Sequence, residues 1–533
     1  MLHPIPNLQD YDVSPVAGFL PDDPPLERLL DPYYEPWETI AQSLPAFVMT
    51  RQVRDYVDTR MPLLTTARLS SEPEWRRACM ILSFLAHAYV WAGDQPRDHL
   101  PQQLADPWLA TAAHFDLPPI TSYACVCLWN FRTIYPDIPP AQWSLANLTT
   151  LLTFTGSYDE SWFYLVSTAI EREGAPCLTH GIDAIAACRN GESEDVVKHL
   201  QALAEAIDSL TTTLARMFEM CDPHTFYFRI RPYLAGWKNM EDAGLPKGVR
   251  YGDEKEYRQI SGGSNAQSSL IQALDILLNV EHYPTGHRRS THGILPTQKT
   301  TEHDTATPEE KQKSANFIHE MRKYMPRKHR EFLEALTRVS HIRDYVVAHS
   351  EETPALVISY DACLAMLRTF RDKHIQIVSR YIIIQARKAQ KLVPKKTAVT
   401  TPGDTKREGL AAADSETQRG TGGTALIPFL KQARDETGDP AASTWGRRLL
   451  ADTSRTLNNP RTLPVLPAHG VPANHFTLGS GSGASASASA STSTAEQKKD
   501  KPVEVAETSM SAFSRLKNAV LGSPDASPKS SGI

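Results

Sequence analysis

Over residues 48–279 the apolar side chains recur at three- and four-residue spacing, and runs that alternate like a half-buried strand are few. A chain patterned this way buries its apolar surface by packing helix on helix, so the expected fold class is all-α. The helical pattern resumes over 314–384. Within it Leu367, Phe370, His374, Ile377 and Tyr381 keep the same steps over several turns, which predicts one long amphipathic helix. Arg387, Lys388, Lys391, Lys395 and Lys396 come next, and cations suit the negative end of a helix dipole.

Proline and small residues punctuate this pattern. Nine prolines within residues 1–45 predict an extended lead-in that wraps onto the core. A chain of 533 residues exceeds the roughly 250–300 residues of one core. The Leu117-Pro118-Pro119 run therefore predicts a boundary between a small N-terminal helical domain (1–118) and a large one (119–450). Residues 283–312 read as a surface insertion, and its scattered His287, His292 and His303 as solvated loop histidines rather than a metal site. Residues 395–424 read as a mobile polar loop ending in a glycine-rich turn, GTGGT (420–424). The tail, 451–533, contains a Gly/Ser/Ala/Thr tract (479–494) that cannot offset its ordering entropy, so it is expected to be disordered. Phe513, Leu516, Val520 and Leu521 could line a short helix there, but so short a helix is marginal alone.

Several function classes are excluded. A net charge of −5, with both signs scattered, provides no field for a phosphate backbone, so no nucleic-acid partner is expected. No run of about 18–20 apolar residues and no signal-peptide pattern occurs, so stable membrane insertion is not expected and a cytoplasmic location is. The seven cysteines are widely spread with no CxxC, which suits a reducing compartment, and Cys125 and Cys127 read as buried thiols. No Ser-His-Asp order, nucleophile elbow, zincin motif or carboxylate pair appears, so hydrolysis is not favoured.

Four groups could carry other chemistry. His374 sits on the apolar stripe of its helix, where it is either a satisfied core histidine or an iron ligand. Arg371, one turn earlier, either reaches a carboxylate or forms a surface ion pair. In FYFRIRPYLAGWKNM (226–240), Arg231 stands about a turn after Phe226 and Tyr227, and its planar fork would either bind an amino acid's carboxylate or stack structurally on the rings. SGGSNAQSS (261–269) opens an apolar helix with Ser264 or Asn265 as N-cap, either as a capped turn or as a backbone site for a ligand.

Taken together, HAYVWAGD (87–94), LPPITSYA (117–124), SWFYLVS (161–167), RIRPYLAGWK (229–238), GGSNAQSS (262–269), MRKYMPRKHREFL (321–333), KHIQIVSRYI (373–382) and GTGGT resemble, in order, the indoleamine 2,3-dioxygenase family, in its longer fungal-type form. The resemblance covers about residues 15–435. It implies one haem b per chain with His374 as proximal iron ligand, Arg371 near the haem propionates and Ser264 beside the cofactor. Tyr123, Val126, Cys127, Phe163, Tyr164, Ser167, Gly263, Ser264 and Asn265 would form the distal pocket. Phe226, Tyr227 and Arg231 would match the aromatic pair and carboxylate anchor, and Thr421 the threonine that covers substrate. Ser167, Phe226 and Arg231 are the residues implied in catalysis, Ser167 as a hydrogen-bonding auxiliary.

The implied reaction adds O2 across the indole C2–C3 bond of L-tryptophan, giving N-formylkynurenine, the first step of the kynurenine pathway towards NAD. Other indoleamines, an electron donor that keeps haem ferrous, and a monomer are also implied. The competing expectation is a non-catalytic oxygen-binding or haem-sensing protein of the same fold, which would have no use for a carboxylate anchor.

Overall fold

The computed structural model describes residues 3–290, 293–296, 317–391, 420–421 and 425–450. Residues Met1–Ala451 make one compact unit. Most of the expected mobile loop and all of the tail, including Phe513, Leu516, Val520 and Leu521, lie outside the described residues, as do His292 and His303.

The architecture is all-α. The helices used below are α1 Glu35–Gln42, α2 Glu72–Trp91, α3 Gln102–His114, α4 Tyr158–Glu173, α5 Ala175–Asn190, α6 Ser193–Ala215, α7 Ser269–Leu277, α8 Arg327–Val339, α9 Pro354–Val378 and α10 Leu426–Glu436. Strands are accessory: β1 His99–Leu100 pairs in parallel with β2 Val249–Tyr251, which pairs antiparallel with β3 Tyr257–Arg258. In the segment expected to be a surface insertion, His287–Ser290 pairs antiparallel with Gly293–Pro296.

The lead-in does lie on the core, through buried Val13, Ala17, Phe19 and Leu20. Helix α1 nevertheless begins inside it, because Pro36 stands in the first turn, where no N–H is needed. Helix α2 starts on a capping box between Ser71 and Glu74 and is buried along most of its length. It is pinned to α1 by a buried ion pair, with Arg77 donating to Glu38 at 2.6 and 3.0 Å. Helices α5 and α6 form an antiparallel hairpin across the turn at Gly191, whose φ of +77° is the left-handed conformation glycine adopts without strain. Helix α9 lies along α6 in the most extensive helix–helix contact among the described residues.

Three places depart from regular helix in the same way. Ala124–Leu128, Phe226–Ile230 and Ser379–Ile383 are single π-turns, closed by i→i+5 bonds from Trp129, Arg231 and Ile384 to Ala124, Phe226 and Ser379. The expected continuous helix through Tyr381 therefore ends as α-helix at Val378, and the inserted residue re-aims the chain beyond it. The N-cap of α7 also differs from expectation. Ser264 caps only a 3₁₀ turn, Asn265–Gln267, whereas the hydroxyl of Ser268 accepts from Ile271 N–H at the start of α7. The polar run before it is long enough for two successive caps.

Buried histidines set an acid limit on this fold. His87 donates from Nδ1 to the Tyr233 carbonyl at 2.7 Å and accepts the Thr121 N–H at Nε2, 3.0 Å, which holds it neutral. Burial pushes His87 and His329 down to about 3 from 6.5. Their contribution is complete above 6.5 and is lost as pH falls from there towards 3. Glu171, pushed up by burial from 4.5 to about 7, works oppositely, since only the unfolded chain loses its proton between those values. His374, lowered by burial to about 4, acts in the same sense as the other two histidines, so three imidazoles outweigh Glu171 and stability should fall as pH drops from 6.5 towards 4.5. Denaturant melts across that range should show the decline; constant stability down to pH 4.5 would refute it.

Candidate functional site

One apolar cavity of about 240 Å³ collects most of the predicted residues. Helix α9 contributes Phe370, Arg371, His374, Ile377 and Val378 to its wall, spaced by helical turns, and the adjoining π-turn adds Tyr381 and Ile382. Tyr381 is fixed there by its hydroxyl, which donates to the Cys221 carbonyl at 2.6 Å. His374 has no hydrogen-bond partner among the described residues. Burial, reinforced by the Arg371 charge, pushes it down to about 4, so the ring is neutral and keeps a lone pair.

Helix α4 presents Phe163, Ser167 and Ile170, one turn apart on one face. Tyr164, expected beside them, points elsewhere. It is wholly buried, its hydroxyl donates to Glu160 at 2.8 Å, and its ring packs edge-on to Phe84. The step of about 100° between adjacent helical residues turns Phe163 to the cavity here and Tyr164 towards Glu160 and Phe84.

The first π-turn brings Val126 and Cys127 to the wall beside Tyr123. All seven cysteines are buried free thiols. The second π-turn brings Phe226, whose ring lies 4.7 Å from that of Phe163, and passes directly into a short helix containing Arg231. Arg231 is 1% exposed, and burial lowers it to about 10. Tyr227 is not on the wall. Its ring lies 5.2 Å from the Arg231 guanidinium carbon, so it positions the arginine rather than lining the cavity.

Gly263, Ser264 and Asn265 close another side. Only glycine fits this backbone: a Cβ on Gly262 would lie 2.4 Å from both the Gly236 nitrogen and the Leu234 carbonyl oxygen, and one on Gly263 would lie 2.8 Å from the Thr121 carbonyl oxygen. The Gln267 amide bridges the same pieces, accepting from Tyr123 N–H at 2.9 Å and donating to Gly262 C=O at 2.9 Å. Thr421 docks on this glycine pair, donating its hydroxyl to Gly263 C=O at 2.5 Å and accepting Gly262 N–H at its carbonyl, 3.2 Å.

The motifs before the site hold it from behind. His87 and Trp91 on α2 donate to the Tyr233 and Ala235 carbonyls, and Trp237 donates to the Tyr251 hydroxyl, which donates to Pro119 C=O. Arg371 borders the cavity with its charge already engaged. It donates to Asp275 at 2.6 and 2.7 Å, and also bonds the Thr437 hydroxyl. His282 joins Asp275 and Glu436 at 3.0 and 2.6 Å, and those carboxylates hold it above its ordinary value.

One group on the cavity's margin is not among the residues the motifs nominate. Glu171 accepts from the Tyr123 hydroxyl at 2.9 Å and the Ser268 hydroxyl at 2.6 Å, and both partners line the wall. Its position one turn after Ser167 on α4 was the available signal.

The family model for indoleamine 2,3-dioxygenase matches residues 7–440. The chain is 44% identical over 447 residues to an indoleamine 2,3-dioxygenase of Saccharomyces cerevisiae, covering 82% of this chain and 94% of that protein. It is 39% identical to one of Aspergillus candidus, over 80% of this chain and 96% of the relative. It is 37% identical to one of Penicillium citrinum, over 81% and 88%. With the match running through every segment that builds the cavity, from Tyr123 to Ala433, the chain belongs to the indoleamine 2,3-dioxygenase family.

Proposed function

We propose that this protein opens the indole ring of L-tryptophan with dioxygen, on a haem b held by His374, to give N-formylkynurenine. The observation that carries the reading is a single apolar cavity bordered both by a neutral imidazole without a hydrogen-bond partner among the described residues and by a buried guanidinium. The residues fit a haem: Phe370, Ile377 and Val378 flank His374 with apolar surface suited to a flat macrocycle, and the imidazole lone pair suits iron. Arg371 places a cation at the same wall for a propionate, moderated by Asp275.

Ferrous haem supplies the binding and activation of dioxygen when it is present. The chain supplies position. Arg231 anchors the substrate carboxylate where little water screens the pair, and Tyr227 keeps the guanidinium oriented. Phe163 and Phe226 hold the indole, Val126 and Cys127 complete its pocket, and Ser167 offers an auxiliary hydrogen bond. Gly263, Ser264 and Asn265 close one side of the pocket, where Ser264 would stand beside a bound cofactor, and Thr421, bonded to Gly263, would exclude water. Both atoms of O2 enter the product as the C2–C3 bond breaks and two carbonyls form, so no net reductant is consumed. An external electron donor only keeps the iron ferrous. The reading extends to a monomeric cytoplasmic enzyme that accepts other indoleamines; among the described residues no helix is long and apolar enough to cross a membrane.

The test is to reduce the haem-loaded protein, add L-tryptophan with isotopically labelled dioxygen, and follow N-formylkynurenine by absorbance and mass. Turnover with both labelled atoms in the product is expected. A lasting oxygenated-haem spectrum without product would overturn the reading in favour of an oxygen-binding protein.

A further inference from the structure

Away from the cavity, the α5–α6 hairpin brings two imidazoles and a carboxylate together. His180 and Asp183 lie three residues apart on α5, and His199 faces them from α6. The two Nδ1 atoms are 3.3 Å apart, Asp183 Oδ2 is 3.9 Å from His199 Nδ1, and the three ligand atoms all lie within 4.8 Å of one another. Two nitrogens bound about 2.0–2.1 Å from a tetrahedral zinc stand about 3.3 Å apart, which is the observed spacing. As a hydrogen bond the same contact is at the long end, beyond the roughly 2.7–3.2 Å usual for an N–H donor.

We propose that His180, His199 and Asp183 form a binding site for a divalent transition-metal ion of the zinc class, separate from the haem pocket, with its remaining coordination positions open to solvent. The donor set of two imidazole nitrogens and one carboxylate oxygen suits zinc and its neighbours rather than calcium or magnesium. Asp183 is about half exposed, so its side chain is free to rotate and close the remaining gap, about 0.6 Å on the His199 side given the ligand spacing of about 3.3 Å. The ion would staple α5 to α6, and α6 is the helix on which α9, the bearer of His374, rests. Binding to the folded state alone raises stability by mass action.

The experiment uses the haem-loaded full chain, stripped of loose metal with a chelator and dialysed against buffered zinc chloride, with zinc and iron counted in the same sample by mass spectrometry. One zinc per chain is expected beyond any that His199→Ala retains, together with a higher thermal midpoint in zinc that His199→Ala does not show. Loss of an outer-shell partner commonly costs ~10–100-fold in affinity, so removal of a ligand should cost at least about that. His180→Ala and Asp183→Ala are independent variants on the same half-exposed surface, and haem content with helical circular dichroism verifies their folding. Failure of the wild type to bind zinc, or equal zinc in all three variants and wild type, overturns the site.

Discussion

Replacing His374 with alanine is expected to leave a folded chain that cannot retain haem through purification and whose dioxygenase activity falls by more than roughly a thousandfold. The fold should survive because alanine is the better helix former and because His374 makes no hydrogen bond that its removal would orphan among the described residues. The loss is confined to the neutral nitrogen at the cavity wall, between Phe370 and Ile377. Absorbance of the haem band after gel filtration, alongside far-ultraviolet circular dichroism, separates loss of ligand from loss of fold. Added imidazole should restore part of the spectrum. A variant that keeps its full haem complement would remove His374 from the role of iron ligand.

Arg231→Ala should act on substrate instead. A charge-assisted pair to a carboxylate in a buried setting is worth about 3–4 kcal/mol, so kcat/KM for L-tryptophan should fall by roughly 10²–10³-fold with the haem spectrum unchanged. The protein itself should not become much less stable. Burial already disfavours the charged guanidinium, lowering it to about 10, so truncation removes a desolvation cost together with the contact to Tyr227. Tryptamine, which lacks the carboxylate, supplies the control: its turnover should change far less than that of tryptophan. An equal drop for both substrates would mean that Arg231 shapes the pocket without anchoring the carboxylate.

Much of the site was legible because its residues sit in segments whose local pattern is unambiguous. His374 lies on the apolar stripe of α9, and Phe163 and Ser167 share a face of α4 at a spacing of four. Tyr164 does not line the cavity: a family match assigns a string of residues, while the fold turns Phe163 to the wall and Tyr164 to Glu160. Tyr227 likewise proved to support Arg231 from outside the wall. The two-sided reading of Arg371 resolved into a buried ion pair in which Nη2 donates to both oxygens of Asp275, a partner 96 residues away that no local spacing could nominate. Glu171 was missed because it became notable only when Tyr123 and Ser268, from two other segments, met its carboxylate.

The sequence by itself determined the all-α class, the apolar stripe that carries His374 and the ordered motifs that mark the family. Those features depend on residues a few positions apart, and helical geometry converts such spacing directly into a shared face. Tertiary structure alone decided where the three π-turns widen the helices around one cavity, and why Gly236 and Gly262 must both lack side chains for two distant backbones to touch. It also decided which buried polar groups find partners and which imidazoles meet across the α5–α6 hairpin. These outcomes depend on backbone approach and desolvation between segments remote in the chain, where free energy depends on distances that spacing along the sequence does not encode.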